Sequence, residues 1–130
     1  MAKLRILIVD DTETWRMLVA QYLRPMKEVE IVGQAVGAED AVMKCRELLP
    51  DIVLLDISLP DGKGVDVARR IKEIDRRISV YLYSAYELGE IRELAVDSPA
   101  DGFIQKSSLK AELQSVLRAE SERRGATPKS

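Results

Sequence analysis

Apolar residues along this chain follow two alternating rhythms. Short continuous apolar runs occupy Leu4–Val9, Ile31–Val36, Ile52–Leu55, Ser79–Tyr83 and Phe103–Ile104. They are rich in Ile, Val and Leu, the pattern of strands covered on both faces of a parallel sheet. Between the runs, apolar positions recur every three or four residues. Trp15, Leu18, Val19, Tyr22 and Leu23 form one stripe, and Ala41, Cys45, Leu48 and Leu49 a second. Val67, Ile71 and Ile74 form a third, and Leu109, Leu113, Val116 and Leu117 the last. Each predicts an amphipathic helix. A weaker pattern, Leu88, Ile91, Leu94 and Ala95, interrupted early by Gly89, predicts another helix between the fourth and fifth strands.

Turn residues agree with this parse. Pro25 closes the first helix and Pro50-Asp51 the second; Pro60-Asp61-Gly62 marks a turn after the third strand. Pro99 and Asp101-Gly102 precede the fifth strand. Strand and helix therefore alternate five times, which implies βαβ crossovers and a parallel sheet with helices on both faces. Apolar periodicity stops near Ser121. The expected layout is one domain over residues 1–120 and a frayed tail or cut linker over 121–130.

Composition narrows the function classes. The chain has 130 residues, 46% hydrophobic and 32% charged, the balance of a folded soluble domain. Lys plus Arg is 20 against 22 for Asp plus Glu, a net charge of −2, which speaks against nucleic-acid binding driven by bulk charge. There is no His, which removes imidazole-based catalysis, imidazole zinc sites and a phosphohistidine-carrier role. The single Cys45 cannot form an internal disulfide and reads as a small buried apolar residue. No apolar run approaches the ~18 residues of a membrane span, so a soluble cytoplasmic protein without membrane contact is expected.

The chemistry lies at the strand ends. In an open α/β sheet, ligands bind beyond the carboxyl ends of the strands. The first strand ends in Asp10-Asp11, the third in Asp56 and the fourth in Ser84, while Lys106 follows the fifth. Any one of these residues alone fits a structural role; Asp11 or Thr12, for instance, is placed to cap the first helix. Together they put three carboxylates, a hydroxyl and an ammonium at one edge. Two unit charges ~4 Å apart at an effective dielectric of ~20 repel by about 4 kcal/mol, so the cluster calls for a cation beyond Lys106. A hard divalent ion such as Mg²⁺ suits two or three carboxylates with room for waters and a phosphate. An Asp left free beside such an ion and a Lys is a nucleophile suited to phosphorus.

These residues carry a resemblance. The Ile-Leu-Ile-Val-Asp-Asp run ending at Asp11, the Asp-Ile-Val-Leu-Leu-Asp run from Asp51 to Asp56, Leu59-Pro60-Asp61 with Gly64, Ser84-Ala85 and Lys106 resemble the receiver domain of two-component response regulators. The similarity covers about residues 4 to 120. It implies a flavodoxin-like, doubly wound five-stranded parallel sheet of order 2-1-3-4-5 with five helices. It also implies that Asp56 accepts a phosphoryl group from the phosphohistidine of a sensor histidine kinase or phosphotransfer protein. Asp10, Asp11, Asp56 and the backbone carbonyl of Ser58 would hold Mg²⁺, and Lys106 would pair with the phosphoryl oxygens. Ser84 and Phe103 take the two switch positions. The output would be a population shift on the face of the fourth helix, fifth strand and fifth helix, which is also a candidate homodimer surface. The domain itself would be no enzyme beyond its own phosphorylation and dephosphorylation, and would not touch nucleic acid.

Three departures matter. Ser107 stands where the family often has Pro, a Pro that receivers preceding helix-turn-helix domains often lack. Phe103 lacks a hydroxyl, so only its packing can signal. Tyr86, two residues past Ser84, is expected to shield the acyl phosphate. Among rivals, a haloacid-dehalogenase-like phosphatase would need an acid at position 58, which is Ser58. A flavodoxin would need a glycine-rich loop where Asp11-Thr12-Glu13-Thr14-Trp15 stands. The remaining alternative is a receiver-like docking or dimerisation module that works without phosphorylation.

Overall fold

A computed structural model describes residues 3–85 and 96–125. The helix expected over Leu88–Ala95 and the shield expected of Tyr86 lie outside the described residues. The strands of the main sheet are β1 (Leu4–Val9), β2 (Val29–Ala35), β3 (Ile52–Asp56), β6 (Ser79–Ser84) and β7 (Gly102–Gln105). They pair in parallel in the order β2-β1-β3-β6-β7. Counted along the chain, this is the expected 2-1-3-4-5 order. The helices are α1 (Glu13–Leu23), α2 (Ala38–Leu48), α3 (Gly64–Ile74) and a C-terminal helix, Leu109–Arg124.

Alternation along the strands divides the core into two layers. Leu7, Val9, Val53, Leu55, Val80 and Leu82 pack against α2 and α3. Ile6, Ile8, Ile52, Leu54, Tyr81 and Tyr83 pack against α1 and the C-terminal helix. All residues of β3 are buried, as its unbroken apolar sequence requires of a central strand. Cys45 is fully buried in the first layer, and burial pushes its thiol up to about 12.

Four local expectations are corrected. The second strand begins earlier, at Val29, and ends at Ala35, leaving Val36 in the following turn and exposed. Leu49 leaves the α2 stripe: it caps the helix in the left-handed conformation (φ 47°) and is half exposed. Thr12 is the N-cap of α1 but makes no side-chain cap bond. The C-terminal helix continues to Arg124, past residue 120 where the apolar pattern fades, and Gly125 caps it with φ 64°. Charged residues hold that last turn. Glu120 is buried and accepts hydrogen bonds from Ser79 Oγ (3.0 Å), Tyr81 hydroxyl (2.6 Å), Arg123 (2.7 Å) and Arg124 (2.8 Å). Arg124 also donates to the carbonyls of Asp51 and Arg77, tying the helix to the loops that lead into β3 and β6.

The Pro60-Asp61-Gly62 turn joins two short strands, β4 (Ser58–Leu59) and β5 (Gly62–Lys63), in a hairpin between β3 and α3. Gly64 closes it: a Cβ there would lie 2.7 Å from the Asp56 carbonyl oxygen and from Ile57 Cα. Only glycine lets α3 start this close to the end of β3. Asp61 Oδ1 accepts the Ala38 N–H at 2.7 Å, so the hairpin also caps α2.

Candidate functional site

The chain runs from β1 outward to β2, then returns across β1 to β3, so β1 and β3 flank the point where strand order reverses. In open α/β sheets ligands bind at such a point, beyond the strand carboxyl ends. Asp10 directly follows β1 and Asp56 ends β3. The alternation that aims Ile6 and Ile8, or Ile52 and Leu54, into the α1 layer carries both carboxylates to that same side.

Asp10 is fully buried. Its Oδ1 accepts the Thr12 N–H at 2.9 Å, and its Oδ2 accepts the Tyr83 hydroxyl at 2.6 Å. Arg16 donates to the Asp10 carbonyl (2.7 Å) and to Gln34 Oε1 (3.1 Å), which joins the start of α1 to β2. Asp56 Oδ1 accepts the Ser58 N–H at 2.9 Å. Lys106 Nζ lies 3.3 Å from Oδ2 of both Asp10 and Asp56, bridging them. Asp11 is exposed, yet its carboxylate, with those of Asp10 and Asp56, forms a group whose oxygens lie within 4.8 Å of one another.

One ammonium does not balance this group. The Asp56 carboxyl is pushed up to about 6. Burial is the main cause and the Asp10 charge adds to it; the Ser58 N–H and Lys106 pull the other way without winning. An all-oxygen donor set of this kind, short of positive charge, fits a hard divalent cation.

Ser84 ends β6 and is buried. Its position in the strand places it with Val80 and Leu82 on the α2/α3 side, where Phe103 is half-buried against the same core. Phe103 pairs with Leu82, and Ser84 with Gln105. The expected switch pair therefore shares one face of the sheet. After β7 the chain turns through a short 3₁₀ segment, Lys106–Ser108, and no cis peptide bond occurs among the described residues.

Two site residues went unrecognised in the sequence. Trp15 reads there as part of the α1 core stripe, and Tyr83 as strand. In the fold the Trp15 ring lies 4.5 Å, and the Tyr83 ring 5.0 Å, from Lys106 Nζ. The signal for Tyr83 was its two-residue alternation from Tyr81, which puts it on the same side as Asp10 and Asp56.

A doubly wound parallel sheet with this acid cluster at its switch point is the flavodoxin-like receiver fold. The chain belongs to the response regulator receiver domain family, whose profile matches residues 6–118. Among curated relatives, the response regulator protein VraR of Staphylococcus epidermidis is 30% identical over 115 residues, covering 88% of this chain and 55% of that protein. The chain thus spans about half the length of the curated relatives it matches. Among solved structures, the response regulator domain of Thermotoga maritima CheB superposes with a TM-score of 0.82 at 26% identity, covering 92% of this chain and 97% of that one. A two-component response regulator of the LuxR family from Aurantimonas sp. gives 0.81 at 27% identity, with 91% and 87% covered. No described helix is long and apolar enough to cross a membrane.

Proposed function

We propose that Asp56 is the phosphoacceptor of this receiver domain and takes its phosphoryl group from the phosphohistidine of a sensor histidine kinase or phosphotransfer protein. The observation that carries the reading is the pair of buried carboxylates bridged by the single ammonium of Lys106 at the switch point. Asp10, Asp11 and Asp56, with the Ser58 backbone carbonyl, would hold Mg²⁺, which when bound neutralises charge on the phosphoryl oxygens. Asp56 sits at the end of a stiff, fully buried strand, which holds its carboxylate for in-line attack. Lys106 turns from bridging two carboxylates to pairing with a phosphoryl oxygen. Ser84 follows that oxygen with its hydroxyl, and Phe103, on the same side of the sheet, repacks into the space this opens. The output face expected of the fourth helix, fifth strand and fifth helix, of which β7 and the C-terminal helix are described, then changes population and supports docking or homodimerisation. On this reading the domain acts in the cytoplasm and touches no nucleic acid itself.

The test is intact-mass spectrometry after incubation with acetyl phosphate and MgCl₂. One added phosphoryl group is expected in the wild type, none in Asp56→Asn, and none in the wild type when a chelator replaces the metal. A folded wild type that gains nothing from acetyl phosphate or from any histidine kinase would overturn the reading in favour of a phosphorylation-independent docking module.

A further inference from the structure

The Lys106 ammonium has two kinds of neighbour. The carboxylates of Asp10 and Asp56 lie 3.3 Å from it, and the ring centroids of Trp15 and Tyr83 at 4.5 and 5.0 Å. Its side chain is only 9% exposed, so water supplies little of its solvation. Aromatic faces attract a cation most strongly when it is desolvated in this way. Tyr83 does a second job. Its hydroxyl donates to Asp10 Oδ2 while the Thr12 N–H takes Oδ1, so both oxygens of that carboxylate are pinned and its plane is fixed. Hydrogen bonds of this kind behind a metal-binding carboxylate orient it and commonly change metal affinity by about 10–100-fold when removed.

We propose that Tyr83 and Trp15 are positioning residues of this site, Tyr83 setting how tightly the acid cluster holds a divalent cation, and Trp15 setting where Lys106 presents its ammonium to the phosphoryl group. The proposal deepens the phosphoacceptor reading above and rests on it. The two residues act through different groups, so their loss has different signatures. Tyr83→Phe keeps the ring over Lys106 and removes only the bond to Asp10. Trp15→Leu keeps that bond and frees a long side chain to swing away.

The experiment uses the whole chain and two readouts: calorimetric titration with MgCl₂, and the rate of phosphorylation by acetyl phosphate as a function of Mg²⁺ concentration. Tyr83→Phe is expected to weaken Mg²⁺ binding about tenfold and to move the Mg²⁺ midpoint of the rate by the same factor. Trp15→Leu is expected to lower the rate at saturating Mg²⁺ about tenfold, with its Mg²⁺ affinity within about twofold of wild type. Trp15→Phe, which keeps an aromatic face, recovers most of that loss. Urea midpoints measured alongside separate these effects from unfolding. Trp15 is the only tryptophan, so its fluorescence in the wild type and in Tyr83→Phe reports any shift of the ammonium as metal binds. Wild-type Mg²⁺ affinity in Tyr83→Phe, or a wild-type plateau in Trp15→Leu, overturns the corresponding half of the proposal. A wild type that binds Mg²⁺ but accepts no phosphoryl group would instead overturn the phosphoacceptor reading, and the calorimetric comparison of Tyr83→Phe still decides its own half.

Discussion

The molecule buries carboxylates at both ends of its sheet and treats the two ends in opposite ways. At the amino ends of the strands, Glu120 meets Arg123, Arg124, Tyr81 and Ser79. Burial alone would raise its carboxyl, but hydrogen bonds from Arg123, Tyr81, Arg124 and Ser79 together prevail and hold it at about 2. At the carboxyl ends, Asp56 has one backbone N–H and a half share of Lys106, and burial pushes it up to about 6. Three carboxylates with one ammonium leave this site at −2, whereas Glu120 and Asp51 with Arg123 and Arg124 leave the other neutral. Burial of an acid is thus no mark of function. The mark is the shortage of positive charge, which an incoming cation can relieve and which costs the fold stability until it does.

The contrast can be broken most severely at Glu120. Glu120→Ala takes the shared partner from the largely buried Arg124 and from two hydroxyls, while Arg123, 58% exposed, turns to water, and a loss of about 3 kcal/mol is expected from urea unfolding. The opposite sign is expected at the other end. Without metal, Asp56→Asn removes a charge the fold holds at a cost, and stability at pH 7 rises by on the order of 1–3 kcal/mol. Added Mg²⁺ stabilises the wild type by about 1.4 kcal/mol at ten times its Kd and, at the same concentration, stabilises Asp56→Asn less, because Asp10 and Asp11 alone supply the charge there.

The pH profile sharpens the same comparison. The Asp56 carboxyl is raised in the folded state, so lowering the pH from 7 through about 6 lets the fold take up a proton and gain stability. The Glu120 carboxyl is lowered, so its contribution is present above its ordinary value of 4.5 and is lost as pH falls toward about 2. The Asp56 gain runs on down to about 3.8 and the Glu120 loss sets in below 4.5, so melting temperature in chelator is expected to peak between about pH 4.5 and 3.8. Asp56→Asn should flatten the rise and Glu120→Gln the fall. The smallest effect belongs to the solvent-facing pair of Arg70 and Glu39, 2.7 Å apart, where Glu39→Gln should leave the melting temperature unchanged because water already screens both charges.

How much of this was legible in the sequence follows from what each feature depends on. The strands, the helices on both faces and the acids at the strand ends were readable, because continuous apolar runs and strand-end positions are local properties of the chain. Lys106 was readable for the same reason. The strand order, which is not local, came only with the family resemblance. The Glu120 network was not: Ser79 and Tyr81 of β6 lie far in sequence from the helix that carries Glu120 and Arg124, and the charged run around Arg123 resembles a solvated tail until the helix docks. Trp15 and Tyr83 were misjudged because an aromatic on an apolar stripe looks like core whichever group its second face meets. Leu49 looked like one more core position until the helix ended a residue early in a left-handed turn.

The most direct measurement is a carbon-detected NMR titration of the Asp56 and Glu120 carboxyl groups, in chelator and then with Mg²⁺. The account predicts that metal-free Asp56 titrates near 6 and Glu120 near 2. Mg²⁺ should draw the Asp56 titration below its ordinary 3.8 and leave Glu120 where it was. An Asp56 carboxyl that titrates at or below 3.8 without metal, or that ignores Mg²⁺, would contradict it.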